Sequence, residues 1–482
     1  MINRRSKLLL ASVGLSLLVF VWSNLSGNPM EMNWVLGTTA LMASLWITEA
    51  IPMGATSLLP IAIFPLTGVL DIKTVTPLYA SHIIFLFIAG FLLAFAMERW
   101  QLHRRIAFKI IGLIGFEPKR ILLGFVLASF ILSMWINNTA TTIVLLAPAL
   151  AIINEFKSKS NNGWFGVVLL LGIAYASSIG GTVTPIGTAP NLLLKSYYES
   201  SFPELPEINF LSWMRFALPL GIFFTVILFF YLARKLNGQT INLKADSLKA
   251  QIKKLGKPSY EERVVLVIFI ALAVLWMSAK NIEIGGITIR GWTSLFPEPG
   301  FIKDSAIGMA VVMLLFFIPS KNEKQRNILE WEDAKRLPFD ILFIFGGGFA
   351  LAKAFEKTGI DDILVTQLEP LSALPIWLMI LIICLFMTFA TEITSNTATT
   401  QLILPLLIIV IKATNVEPMY LLVPATFSAS YAFMLPVATP PNAIVFGTGE
   451  VSNKHMIRLG IWLNFIGVAL LTLYTYFFAE YF

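Results

Sequence analysis

Hydrophobic positions in this chain neither alternate with a period of two nor fall on one helical stripe. They come in long apolar blocks separated by short charged segments. Blocks near residues 8–26, 33–51, 54–71 and 82–100 reach or approach the ~18–20 residues that a bilayer-spanning helix needs. Each predicts a helix, as do blocks near 211–234, 262–279, 303–319, 338–356 and 458–478. Two longer runs, 121–153 and 376–411, are interrupted by uncharged polar clusters, Asn137-Asn138-Thr139 and Ser395-Asn396-Thr397. The first run is long enough for two passes, yet basic residues flank it at both ends (Lys119 and Arg120, then Lys157 and Lys159). A re-entrant hairpin satisfies both facts, and such broken backbone survives at membrane depth only when buried in protein or lining an aqueous cavity.

Two further blocks are punctured by glycine and proline. The segment from Trp164 to Lys195 carries Gly180-Gly181-Thr182-Val183-Thr184-Pro185-Ile186-Gly187-Thr188-Ala189-Pro190-Asn191, and the segment from Met419 to Val451 carries Leu435-Pro436-Val437-Ala438-Thr439-Pro440-Pro441-Asn442. Neither can be continuous helix. Each predicts two half-helices around an unwound centre.

The interruptions are paired. Asn138 and Asn396 are 258 positions apart (396 − 138), and the same offset aligns the segment 91–98 with 349–356. Basic loops set the orientation. Arg4, Arg5 and Lys7 place the amino terminus in the cytoplasm. The clusters at 99–120, at 235–257 (with Lys244) and at 321–336 (with Lys324) fall on the same side by the helix count. On that count the second hairpin enters from the outside, opposite to the first. The expected fold is an all-α polytopic membrane protein with inverted-topology repeats, of about eleven transmembrane helices, two re-entrant hairpins and two broken helices. The carboxyl terminus is expected outside, and the unwound segments should meet near the midplane.

Composition agrees. The chain is 57% hydrophobic and 13% charged, against about 25% charge in a soluble domain. The net charge of +7 is gathered in a few loops, which fits the positive-inside rule and not nucleic-acid binding. The apolar run from Leu8 to Trp22 reads as an uncleaved first helix. One cysteine, Cys384, excludes an intrachain disulfide and any cysteine-based metal site. His82, His103 and His455 fall at segment ends or loops without ligand spacing. With no histidine deep in an apolar block and no paired intramembrane aspartates, the nucleophile and base of an enzyme are missing.

The polar clusters suggest two kinds of chemistry. Helix amino-termini at the hairpin tips offer free N–H groups and partial positive charge to carboxylate or sulfate oxygens. Unwound carbonyls near Gly187 and Ala438 offer hard oxygen ligands to a small cation such as Na⁺. No Lys or Arg lies within the four motifs. A divalent anion at the midplane would cost roughly 3 kcal/mol or more per charge unaided, so a co-bound cation is expected. Of the acids near apolar blocks, Glu98 and Glu356 are expected at the interface. Glu392 could be a partner of the ion site or a proton site, and Glu49 has no assigned part.

These motifs resemble those of the divalent anion/sodium symporter family, the INDY-type di- and tricarboxylate transporters. Asn137-Asn138-Thr139 and Ser395-Asn396-Thr397 match the paired Ser-Asn-Thr motifs. Gly187-Thr-Ala-Pro-Asn191 and Ala438-Thr-Pro-Pro-Asn442 match the broken helices, and Trp46-Ile-Thr-Glu49-Ala-Ile-Pro52 resembles part of the second helix. The resemblance implies a homodimer in a bacterial inner or plasma membrane. It implies scaffold parts at 1–120 and 236–370, and transport parts at 121–235 and 371–482 that move as an elevator. It places one sodium site at Ser133, Asn137, Asn138 and Gly187, and another at Thr391, Ser395, Asn396 and Ala438. Substrate carboxylates would meet Asn138, Thr139, Asn396 and Thr397, with Pro440 lining the pocket. The implied activity is sodium-coupled symport of C4 dicarboxylates such as succinate, malate and fumarate. The alternatives are a sodium-independent dicarboxylate or citrate exchanger, and a sulfate transporter. Asn137 departs from the motif, where the family has serine.

Overall fold

In the computed structural model, the described residues are 4–157, 164–237, 246–284, 287–323 and 326–481. Lys159, Lys244 and Lys324, counted above among the basic loops, lie outside them. The chain opens with two antiparallel helices, α1 (Arg4–Leu25) and α2 (Met30–Thr48). A short pair comes next, α3 (Met53–Ser57) and α4 (Leu59–Leu66), then a single turn, α5 (Ile72–Val75), and α6 (His82–Arg99). The helix expected over 54–71 is thus two pieces, divided at Leu58, with Pro60 in the first turn of the second; a proline is tolerated there because that N–H lacks an intrahelical partner anyway.

The charged stretch after Arg99 was expected to be loop and contains α7 (Leu102–Ile114). Leu102, His103, Ala107, Phe108 and Ile111 are buried, while Arg104 and Lys109 are exposed. A two-faced helix of this kind suits an interface plane. Next come α8 (Pro118–Ser133) and α9 (Asn138–Lys157), the arms of the first hairpin, and then α10 (Trp164–Gly181) and α11 (Ala189–Ser201), the first broken helix. A long helix α12 (Phe210–Ala233) and a short basic one, α13 (Asp246–Lys254), complete the first half.

The second half begins with α14 (Tyr260–Met277), closed by a capping box in which Ser259 and Glu262 exchange hydrogen bonds with each other's backbone. A two-stranded hairpin follows, β1 (Ile282–Ile284) antiparallel to β2 (Ile287–Ile289), with Glu283 opposite Thr288. Then come α15 (Asp304–Phe317), α16 (Trp331–Ala334), α17 (Phe339–Thr358) and α18 (Ile360–Leu368). α18 stands to α17 as α7 stands to α6 (360 − 102 = 258). The second hairpin is α19 (Ile376–Thr391) with α20 (Asn396–Thr414), and α19 leaves the segment containing α18 at a bend of 116°. The second broken helix is α21 (Met419–Ser430) with α22 (Pro440–Gly447), and α23 (Asn453–Phe478) comes after it.

Seven described helices are long and apolar enough to cross a membrane, or eight if the bent pair counts as one span. α2, α14, α17 and the 14-residue α15 occupy four further expected crossings. Burial separates them by role. α10 is apolar and enclosed over nearly its whole length, as expected of a helix hydrophobic all round at the centre of a bundle. α1 packs on α2 and exposes Leu15, Leu18 and Trp22, which suits contact with lipid tails. Cys384 is buried, as a small hydrophobe in an apolar run should be. At the end of α6, Arg99 pairs with Glu323 and Asp333, each at 2.6 Å, and Arg336 pairs with Glu98 at 2.5 Å.

Candidate functional site

Both hairpin tips and both helix breaks line one cavity of about 720 Å³. Asn137, Asn138 and Thr139 enter it from α8–α9, and Ser395, Asn396 and Thr397 from α19–α20. Gly187, Ala438 and Pro440 enter from the breaks. Ser133 and Thr391 do not line it; each is fully buried one turn behind its tip. The sequence thus names nine residues that the fold brings to one space, and two that lie beneath it.

The two tips differ in how their amides are used. In the first, Asn137 Oδ1 accepts the Ala140 N–H at 2.8 Å, so this amide caps α9. Ser133 Oγ donates to Asn138 Oδ1 at 2.6 Å. In the second, Ser395 makes no side-chain cap, which leaves the first-turn N–H groups of α20 without a local acceptor. Asn396 Oδ1 is buried and has no hydrogen-bond partner among the described residues. Thr391, the counterpart of Ser133 (391 − 133 = 258), gives its hydroxyl to the Thr388 carbonyl at 3.2 Å. A buried orphan oxygen is costly without a partner, and in a cavity that the second break also lines it is a fitting cation ligand.

Oxygen atoms also crowd the first break. A Cβ placed on Gly187 would collide with the Gly181 carbonyl oxygen and lie 3.0 Å from that of Ser133. One on Gly181 would lie 2.5 Å from Asn138 Oδ1. Only glycine leaves room at these two positions, and the oxygens of Gly181, Ser133 and Asn138 beside them are hard ligands of a kind that suits Na⁺.

Each break is tied by one asparagine. Asn191 Nδ2 donates to the carbonyls of Gly181 and Thr184, at 2.9 and 2.8 Å. Asn442 Nδ2 donates to those of Ala432 and Leu435, at 3.1 and 3.0 Å. These equivalences run at an offset of 251 (442 − 191; 435 − 184), seven less than in the hairpins.

Each tip also accepts hydrogen bonds from its own break, with side chain and backbone exchanged between the halves. In the first half, the Thr184 hydroxyl in the break donates to the Met134 carbonyl at the tip. In the second, the tip residue Glu392, counterpart of Met134 (392 − 134 = 258), accepts from the break. Its carboxylate takes the N–H groups of Met434 and Leu435, each at 2.9 Å, and the amide of Asn464 at 2.7 Å. Asn464 Oδ1 in turn accepts the Phe433 N–H at 3.1 Å. Glu392 is 3% exposed and has no basic partner among the described residues. It therefore holds the unwound segment that carries Ala438. Asn464 was not singled out in the sequence; its signal was a lone amide within the apolar run of α23.

Among the described residues the cavity wall holds one ionisable group, Glu49. It ends α2 in a left-handed conformation (φ 49°, ψ 31°), its N–H bonded to the Leu45 carbonyl. That conformation costs a residue with a Cβ about 1–2 kcal/mol and is usually given to glycine.

A nearly all-helical membrane protein whose matched halves close hairpin tips and helix breaks on one polar cavity belongs to the class of secondary transporters. The comparisons with known proteins narrow the class. Residues 5–481 match the family described as the sodium:sulfate symporter transmembrane region, and the chain belongs to that family. It is 42% identical over 474 residues to the sodium-dependent dicarboxylate transporter SdcS of Staphylococcus saprophyticus, covering 96% of this chain and 88% of that one. It is 40% identical over 481 residues to SdcS of Staphylococcus aureus, covering 95% and 89%. Among solved structures, its fold is similar to that of the Alcanivorax borkumensis YdaH transporter (TM-score 0.58, 12% identity, 97% of this chain and 98% of that one). It is also similar to Neisseria gonorrhoeae MtrF (TM-score 0.58, 14% identity, 86% and 84%).

Proposed function

We propose that the chain is a sodium-coupled symporter of small dicarboxylates such as succinate, malate and fumarate. The observation that carries this is the meeting of both tips and both breaks on one cavity with no basic residue among the described ones in its wall. A dianion there finds helix N-termini, amides and hydroxyls but no fixed positive charge, so its charge is balanced by cations bound at the breaks. Asn138, Asn396, Thr139 and Thr397 hold the carboxylates, and Pro440 bounds the pocket. One Na⁺ sits among Ser133, Asn137, Asn138 and Gly187, and a second among Thr391, Ser395, Asn396 and Ala438. The orphan oxygen of Asn396 supports the second site, and the oxygens beside Gly187 and Gly181 support the first.

In the same reading the protein is a homodimer with its amino terminus and basic loops in the cytoplasm, as the positive-inside rule favours, and its carboxyl terminus outside. Segments 121–235 and 371–482 move together as an elevator against 1–120 and 236–370. The packing supports this grouping: α8 lies on α10, and α19 lies on α21 and α23.

The test is uptake of radiolabelled succinate into proteoliposomes under an inward Na⁺ gradient, repeated with K⁺ in place of Na⁺. Sodium-dependent accumulation, inhibited by malate and fumarate, is expected. Uptake confined to dicarboxylate-loaded vesicles, indifferent to Na⁺, would overturn symport in favour of exchange.

A further inference from the structure

Glu49 is the one feature of the cavity that anion binding does not use. Among the described residues it is the only ionisable one in the cavity wall, and a carboxylate is the wrong sign for a site that takes a dianion. It has no ion-pair partner among the described residues. Arg5 donates from Nε to the carbonyl of the next residue, Ala50, at 2.7 Å and makes no ion pair with Glu49, and Asp340 packs against Gly54 outside the wall. The side chain is exposed to the cavity at a position whose backbone is left-handed, where glycine would be cheaper. It projects from α2, whereas the four motifs project from the hairpins and broken helices.

We infer that Glu49 is the residue that makes anion binding depend on cations: its fixed negative charge repels a bare dianion from the cavity and attracts Na⁺. The inference rests on the symport reading above and names a selectivity element within it. With the breaks loaded with Na⁺, the site is positive enough to hold the dicarboxylate against Glu49. Once the cations leave, the dianion faces a net negative wall and departs. A neutral-walled cavity has no such penalty, because helix termini and amides still favour an anion when the cations are gone. Between a unit charge and a dianion across a partly aqueous cavity, the repulsion amounts to about a tenfold change in affinity.

The experiment is equilibrium binding of radiolabelled succinate to the purified full-length protein, at constant ionic strength, with Na⁺ or choline as the cation. The variants are Glu49→Gln, which removes the charge and keeps the shape; Glu49→Asp, which keeps the charge; and Glu49→Gly, which removes the charge and relieves the backbone. Glu49→Gln and Glu49→Gly should bind succinate in choline about tenfold more tightly than the wild type. Both should also need more Na⁺ for half-saturation, and Glu49→Asp should behave as the wild type. A structural role alone would separate Gly from Gln and lower binding in both media. Overlapping wild-type and Gln curves in choline would overturn the inference while leaving symport intact. A wild type that binds succinate equally in Na⁺ and choline would overturn the symport reading and this inference with it.

Discussion

Replacing Glu392 with glutamine removes one charge and almost no volume, yet it should loosen the second break. The carboxylate accepts from Met434 N, Leu435 N and Asn464 Nδ2. A glutamine has one accepting oxygen, so its NH₂ must face at least one backbone N–H in donor-to-donor opposition. That hydrogen bond is lost and a buried N–H is left without an acceptor. Hydrogen bonds to charged groups contribute about 1.5–3 kcal/mol, so the unwound segment should lose about 2 kcal/mol of its hold. Ala438 lies in that segment and contributes to the second ion site, so the loss should appear as up to about a thirtyfold rise in half-saturating Na⁺. The assay is succinate uptake as a function of Na⁺, alongside KM for succinate at saturating Na⁺ and a thermal-unfolding scan in detergent. The shift should fall mainly on Na⁺, with KM approaching the wild-type value once Na⁺ saturates. A stably folded Glu392→Gln protein whose Na⁺ curve superimposes on the wild type would refute the idea that this carboxylate holds the second break.

Other substitutions probe the rest of the site. Asn396→Ala removes the orphan oxygen and an amide from the cavity; uptake should nearly vanish while expression and unfolding temperature hold, and normal uptake would remove the second site from the account. Asn137→Ser replaces one capping side chain with another of similar strength, so stability should change by less than about 0.5 kcal/mol while the Na⁺ activation curve moves; an unchanged curve would make Asn137 a cap and nothing more. Gly348→Ala would place a methyl on Gln401 Nε2 and Tyr197 Oη, which hydrogen-bond each other at 2.5 Å. Uptake should drop at least about tenfold and recover in part in Gly348→Ala/Gln401→Ala, because contacting residues are not additive. Lys195 on α11 is buried and paired with Glu199 at 3.1 Å and Asp304 at 3.5 Å. Asp304→Asn leaves that ammonium under-compensated and should cost about 3–5 kcal/mol, read as a large fall in unfolding temperature.

Much of this architecture was legible because membranes make sequence blunt. A polar amide inside an apolar block, or two prolines beside a glycine, has few explanations at membrane depth. The offset of 258 paired Asn138 with Asn396 without any coordinates. What escaped notice had ordinary causes. α7 and α18 are amphipathic, so their charged faces read as loop. The change of offset to 251 beyond the hairpins hid the equivalence of Trp213 and Asn464 (464 − 213). The former donates to the Thr182 carbonyl at 3.0 Å and the latter accepts from Phe433. A hydrophobic anchor in one half and a polar one in the other share no sequence signature, although they hold corresponding points of the two breaks. Ser133 and Thr391 were legible as polar but not as buried, since their depth depends on how far each helix runs before its tip turns.

The three glycines of α17 carry a consequence for how this sequence can drift. Gly346 abuts the Tyr79 ring, Gly347 the backbone of Ser57, and Gly348 the Tyr197–Gln401 pair, so one turn of helix is crowded on three sides. At such a turn even the smallest side chain is an insertion, and at position 348 it needs a neighbouring side chain to shrink. Across relatives, position 348 should therefore not vary alone. Where it bears a methyl, position 401 or 197 should have shrunk, and where glutamine and tyrosine are both kept, the glycine should be kept with them. A relative with alanine, glutamine and tyrosine together at these positions would show that its α17 sits farther from α11 and α20 than it does here.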